Sequence, residues 1–153
     1  MDAIGLLKAD HKKVRALLTE LEETTSRATK TRTELLPKIK QEIEIHATIE
    51  EEIFYPAFQD AAKNEEDRRM VFEALAEHKA AGDVTLQDLA SSDINSDEFG
   101  GKAKVLKELI EHHATEEEKE MFPRARELLG DQALKELGDR MAARKLELGA
   151  APE

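Results

Sequence analysis

His46-Ala47-Thr48-Ile49-Glu50-Glu51-Glu52-Ile53-Phe54-Tyr55-Pro56 and His113-Ala114-Thr115-Glu116-Glu117-Glu118-Lys119-Glu120-Met121-Phe122-Pro123 are two copies of one pattern, 67 residues apart. The same offset carries His11 onto His78. Within each copy the histidine and the first matched glutamate stand four apart, so on a helix they lie about 40° apart and one turn up, aimed at one point. His11 to His46 and His78 to His113 are both 35 residues, so a helical hairpin with one inward histidine per helix occurs twice. Apolar identity is poorly kept between the halves: Leu7 corresponds to Ala74 and Leu18 to Thr85. What repeats is the chemistry. The pattern predicts an all-α protein, an up-down-up-down four-helix bundle with a short additional C-terminal helix.

The periodicity around these copies agrees. From Asp2 to about Thr25, Ile4, Leu7, Val14, Leu18 and Leu21 trace one stripe, with His11 on it. A turn is expected between Thr24 and Thr33, because Pro37 fits only the first turn of a helix that starts near Thr33. That helix reads Leu36, Ile39, Ile43, His46, Glu50, then Ile53 or Phe54, and Pro56 should end or kink it. A third segment, from about Asn64 to Ala90, places Val71, Leu75, His78, Gly82 and Leu86 or Leu89 inward. Ser91 to Gly101 is predicted as a loop. The fourth helix aligns Leu106, Ile110, His113, Glu117 and Met121, and Pro123 should close it. Residues Asp131 to Leu148 carry a further stripe, Leu134, Leu137, Met141 and Leu148, and Gly149 to Glu153 should fray. Residues 1–127 are thus predicted as the bundle, and 128–153 as a C-terminal helix and tail packed on it or trailing from it.

Composition limits the chemistry. The chain has 153 residues, enough for one ordinary domain. A formal charge of −11 repels phosphate backbones and anionic headgroups, so neither nucleic acid nor a membrane is expected as a partner. No apolar run approaches the roughly 20 residues a bilayer demands. The opening Met1-Asp2-Ala3-Ile4-Gly5 lacks the features of a signal peptide, which predicts a cytoplasmic location. With no cysteine, iron–sulfur clusters and thiolate zinc sites are excluded, and any metal must be held by nitrogen and oxygen. Burying a carboxylate costs several kcal/mol unless it is paired or metal-bound, and the inward stripes supply no lysine or arginine for Glu50 or Glu117. A pair of dications would neutralise both. The predicted ligands are therefore His11, His46, Glu50, His78, His113 and Glu117, with the two carboxylates bridging.

A single histidine on an apolar stripe is more often a hydrogen-bonded core residue than a ligand. Four inward histidines related by one offset, out of five in the chain, outweigh that reading. His112 forms a rival pair with Glu116 on a stripe of Val105 and Leu109, but the repeat favours His113, leaving His112 exposed or beside the site. Glu51, Glu52, Glu77, Glu116, Glu118 and Glu120 read most simply as a solvated acidic face. Asp10, Glu51, Glu77 and Glu118 are also candidates to accept the outer N–H of a ligating imidazole. Imidazole and carboxylate donors suit iron, manganese, zinc or cobalt without deciding among them.

His11, the segment His46 to Pro56, His78 and the segment His113 to Pro123 resemble the haemerythrin-like (HHE cation-binding) family over about residues 3 to 125. The tail Glu136 to Arg144 is also similar to that of mycobacterial single-domain members. The resemblance implies two iron ions per chain bridged by oxo or hydroxo, with a small diatomic ligand or peroxide as partner. Family chemistry includes reversible oxygen binding, sensing, nitric oxide and iron handling, and peroxide breakdown, so an electron-donor or iron-acceptor protein stays open as a partner. Oxygen carriers of this family have a fifth histidine four residues from the third-helix histidine; here those positions are Ala74 and Gly82. The fourth-helix carboxylate is also one residue closer to its histidine than in those carriers. Of about twelve positions on two six-coordinate irons, four imidazoles, two bridging carboxylates and an oxo bridge leave about two open. That favours redox action on peroxide or oxygen, catalase-like, over storage; reversible binding or sensing of oxygen or nitric oxide, or iron handling without turnover, is the alternative.

Tyr55 replaces Phe122 in the repeat and is the catalytic candidate. Nine residues after His46, it falls on the far face of a straight helix, which reads as a packed ring with its hydroxyl at the surface or bonded locally. The functional reading is a phenolate ligand or a proton donor to bound peroxide.

Overall fold

The computed structural model describes residues 1–151 and consists, among those residues, of helices and short connections. Helix α1 spans Ala3–Glu22, capped by the Asp2 side chain accepting from the Gly5 N–H. Helix α2, Thr29–Ile49, passes through a π turn at Glu50–Phe54 into α3, Tyr55–Ala61. Helix α4, Glu65–His78, continues through a π segment at Lys79–Leu86 into α5, Gln87–Ala90. Helix α6, Asp97–Glu116, enters a third π turn at Glu117–Met121 and then α7, Phe122–Glu147. Four rods thus form the bundle. Gly130, at φ 80°, breaks α7 so that its second half folds back as the additional C-terminal helix.

Three boundaries differ from the sequence reading. Helix α2 begins at Thr29 and places Pro37 in its interior. Pro37 faces solvent, where water can satisfy the carbonyl that its missing N–H leaves unpaired. The expected loop ends at Ser96, whose hydroxyl accepts from the Phe99 N–H and starts α6 five residues earlier than Gly101 suggested. Asp97 and Glu98 occupy the positive end of that helix, and Phe99 is fully buried beneath Arg32. Pro56 and Pro123 terminate nothing. Each sits at the start of an α-helix just after a π turn, where proline needs no intrahelical donor.

The apolar stripes meet in two clusters. One gathers Leu7, Phe54, Phe58 and Phe122 with Leu134, Leu137 and Met141 from the C-terminal helix; the other gathers Leu18, Leu21, Ile39, Leu86, Phe99 and Leu106. The C-terminal helix is therefore packed on the bundle. Gly138 lets it approach closely: a Cβ there would stand 2.5 Å from the Met1 carbonyl oxygen and 2.8 Å from the Ala3 nitrogen. Gly149 accepts from the Gln41 side chain at 3.1 Å, so fraying does not begin there; Pro152 and Glu153 lie outside the described residues.

Arg32 is a buried cation that periodicity did not indicate. It is 2% exposed and donates to Thr24 Oγ1 and to the carbonyls of Ile94 and Ser96, tying the α1–α2 turn to the loop before α6. No helix among the described residues is long and apolar enough to cross a membrane.

Candidate metal centre

The π turns set the geometry. Those at Glu50–Phe54 and Glu117–Met121 each begin at a glutamate of the repeated pair and hold one residue more than an α turn. One extra residue advances the side chains beyond it by about 100° around the axis. Tyr55 is carried from the far face of a straight helix into the interior, where it is 2% exposed. Its hydroxyl donates to Glu117 Oε2 at 2.6 Å and lies 3.1 Å from His78 Nε2 and 3.4 Å from His113 Nε2. The expectation of a surface or locally bonded hydroxyl is thus corrected. Phe122 makes the equivalent move and stacks on His11, with ring centroids 5.8 Å apart.

All six predicted ligand side chains converge between the two apolar clusters. His11 Nε2 is 3.0 Å from Glu117 Oε1, and His46 Nε2 and His78 Nε2 are each 3.0 Å from Glu50 Oε1. His113 Nε2 is 3.4 Å from Glu117 Oε1 and 3.8 Å from Glu50 Oε1. Donor atoms fall into two groups with the spacing of a coordination site: His11, His46, Glu50 and Glu117, and then Glu50, His78 and His113. Glu50 belongs to both.

Behind each imidazole stands a carboxylate. Asp10 meets His46 Nδ1 at 2.9 Å, Glu51 meets His78 Nδ1 at 3.0 Å, Glu77 meets His113 Nδ1 at 2.7 Å, and Glu118 meets His11 Nδ1 at 2.6 Å. These are the four acidic residues considered as outer acceptors, and they too obey the offset: Asp10 matches Glu77 and Glu51 matches Glu118. The solvated-face reading holds for Glu52, which pairs with Arg144 at the surface.

This arrangement fits cations. Imidazoles that donate from Nδ1 turn lone pairs inward at Nε2, where they face the carboxylate oxygens of Glu50 and Glu117. His46 Nε2 and Glu50 Oε2 are buried with no hydrogen-bond partner, the 3.0 Å approach of His46 Nε2 to Glu50 being off the hydrogen-bonding line. Acceptors that converge without donors need protons or metal ions between them. Without metal the protons must come from the groups themselves. Burial disfavours charge on His46, but Glu50 and Asp10 outweigh it and lift the imidazole to about 10. His78 and His113 are raised in the same way, against burial, by Glu50 with Glu51 and by Glu117 with Glu50. Burial opposes charge on Glu50 as well, yet His46 holds it well below the usual carboxylate range. Burial and then Glu50 push Glu117 up, and burial with both glutamates pushes the Tyr55 phenol well above its usual value.

A cavity of about 460 Å³ lies against this layer, with His11, His46, His78, His113 and Gly82 among the residues that line it. His112 is outside it. Its ring is 63% exposed and pairs with Glu116 at 3.1 Å and Glu77 at 3.3 Å; Val105 of its rival stripe is also exposed. Two basic groups that the inward stripes could not reveal close the outer ring: Arg15 donates to Glu118 at 2.9 Å, and Lys145 of the C-terminal helix donates to Asp10.

A profile of the hemerythrin HHE cation binding domain matches residues 2–125. Uncharacterized proteins of Mycobacterium tuberculosis and Mycobacterium bovis are each 29% identical over 153 residues, covering 99% of this chain and 90% of their own length. The crystal structure of a hemerythrin HHE cation binding domain-containing protein from Mycobacterium kansasii superposes with a TM-score of 0.82 at 28% identity, over 97% of this chain and 87% of that one. With its bundle, its repeated histidines and glutamates and the profile match over most of its length, the chain belongs to the hemerythrin HHE cation-binding domain family.

Proposed function

We propose that the chain is a non-haem di-iron protein that consumes peroxide, with His11, His46, Glu50, His78, His113 and Glu117 as iron ligands and Tyr55 as the catalytic residue. The observation that carries this reading is the Tyr55 hydroxyl, 2.6 Å from Glu117 and 3.1 Å from His78 Nε2, in a centre where Ala74 and Gly82 supply no further imidazole. A pair of irons held there would supply two-electron redox chemistry toward peroxide. Glu50, shared by both donor groups, and Glu117 would help hold the metals, while the second oxygen of Glu117 orients Tyr55. The Tyr55 Oη–H is an exchangeable proton at the inner face of the layer, with Glu117 Oε2 as its acceptor. Asp10, Glu51, Glu77 and Glu118 fix the imidazole tautomers by accepting from Nδ1. The apolar clusters on either side keep bulk water from the layer, and the cavity gives a small molecule a way in.

The test is oxygen evolution from hydrogen peroxide by protein carrying two irons per chain. Steady evolution that is abolished in His78→Ala and reduced at least tenfold in Tyr55→Phe is expected. Reversible oxygen uptake without peroxide consumption would overturn the proposal and make the protein a carrier.

A further inference from the structure

The repeat that relates the two halves breaks at one informative place. Gly82 is the counterpart of Arg15. Arg15 folds over its half of the centre, donating to Glu118 at 2.9 Å and to Glu111 at 2.8 Å, and so covers the carboxylate behind His11. At Gly82 there is no side chain to cover Glu51, the carboxylate behind His78; a Cβ built there would meet nothing within 4 Å. The open space is the 460 Å³ cavity, whose lining brings Gly82, Glu51 and His78 together with His11, His46 and His113.

That volume is many times the roughly 30 Å³ that a water-sized molecule occupies, and lies within the roughly 300–1,000 Å³ of sites that hold organic ligands. Val14, Ile43, Ala81 and Ile110 give it apolar walls. Its rim carries Glu44, Glu51 and Asp83 against Lys79, on a chain of net charge −11, which disfavours an anionic ligand. A neutral molecule with an apolar body suits the walls, and only its polar end can enter the histidine layer.

Resting on the peroxide reading above, we propose that the cavity opened by Gly82 binds the organic group of a neutral hydroperoxide, so that the substrate class extends from hydrogen peroxide to small alkyl and aryl hydroperoxides. The balanced reaction is ROOH + H2O2 → ROH + H2O + O2. The O–O bond of the organic hydroperoxide breaks and takes up two electrons. Hydrogen peroxide supplies those electrons and two protons and leaves as oxygen.

Two readouts test the proposal separately from the activity on which it rests. Calorimetric titration of the zinc-loaded, redox-silent protein with cumyl alcohol, the unreactive product analogue of cumene hydroperoxide, reads the cavity alone. Binding at one site per chain is expected, weakened at least tenfold in Gly82→Leu, at a position where a Cβ has nothing within 4 Å. In the di-iron protein, the ratio of kcat/KM for cumene hydroperoxide to that for hydrogen peroxide should fall at least tenfold in the same variant, with circular dichroism checking that it folds. Cumyl alcohol that fails to bind, or binds equally to Gly82→Leu, overturns the cavity proposal even if hydrogen peroxide is consumed. Binding lost in Gly82→Leu by a protein that consumes neither peroxide would instead sustain the ligand site and overturn the hydroperoxide as its substrate.

Discussion

Replacing Tyr55 by phenylalanine removes one oxygen from the middle of the bundle and leaves the ring where it packs. In the metal-free protein that oxygen donates to Glu117 Oε2 at 2.6 Å and lies near two imidazoles, all within a buried layer. A hydrogen bond to a partly charged partner contributes about 1–3 kcal/mol, and for a chain of this length each kcal/mol moves the melting temperature by about 2–4 °C. Tyr55→Phe should therefore lower the metal-free melting temperature by roughly 2–12 °C. The iron-loaded protein gives a second readout. If the phenolate reaches iron, the parent shows visible phenolate-to-iron charge-transfer absorption, and Tyr55→Phe loses it while keeping two irons per chain. Differential scanning calorimetry with and without iron, and absorption spectra of both proteins, make the measurement. A variant that melts with the parent in the metal-free state and retains the visible band would refute the inward placement of the hydroxyl.

Removing metal should cost more. Each site filled a thousandfold above its Kd adds about 4 kcal/mol, so chelation should lower the melting temperature by at least roughly 8 °C, checked on samples whose metal content is measured. Asp67 accepts both Nε and a terminal nitrogen of Arg124 at 2.7 and 2.9 Å, which holds its carboxyl down at about 2. Its folded-state value lies below the unfolded one, so this pair stabilises above about pH 4 and the contribution disappears as pH falls through about 2. Asp67→Asn should lower the melting temperature by a few degrees at pH 7 and flatten the acid limb of the stability curve. Lys145→Met removes the cation from Asp10, making Asp10 a stronger acceptor for the His46 N–H and the imidazole a stronger donor to iron. The reduction potential should move negative and Lys145→Arg should restore it, measured by spectroelectrochemistry.

Much of this centre was legible in the sequence because period and offset are properties of residue order. Ile4, Leu7, His11, Val14, Leu18 and Leu21 all lie inward on α1, and Leu106, His113, Glu117 and Met121 do so on the fourth rod. Register beyond Glu50 was not legible, since a straight-helix wheel has no means of inserting a residue. The ambiguity between Ile53 and Phe54 was the available signal: both are buried, as a widened turn allows and a regular one does not. The two prolines are a second signal, since an interior proline normally ends or kinks the α ladder. Lys145 and Arg32 were illegible for a different reason. Each is placed by tertiary packing, Lys145 by the chain reversal at Gly130 and Arg32 by the carbonyls of a loop 62 residues away.

The repeat builds an inner layer that is nearly two-fold in chemistry and an outer layer that is not. Arg15 covers Glu118, Lys145 covers Asp10, and Glu77 is shared with His112, while Glu51 stands 45% exposed at the mouth of the cavity. Identical imidazoles therefore face unequal surroundings. On the His11 and His46 side, the carboxylate behind each ring is bound to a fixed cation, a condition that holds a ligand in place. On the His78 side, the outer carboxylate is solvent-exposed, the wall is glycine, and the phenol of Tyr55 lies 3.1 Å from the ring nitrogen. Under the proposed function, small molecules would exchange at that end, where an exposed carboxylate, a glycine wall and a phenol lie together. A symmetric protein would have no reason to distinguish the two halves of its centre; the C-terminal helix, Arg15 and Gly82 give this chain one.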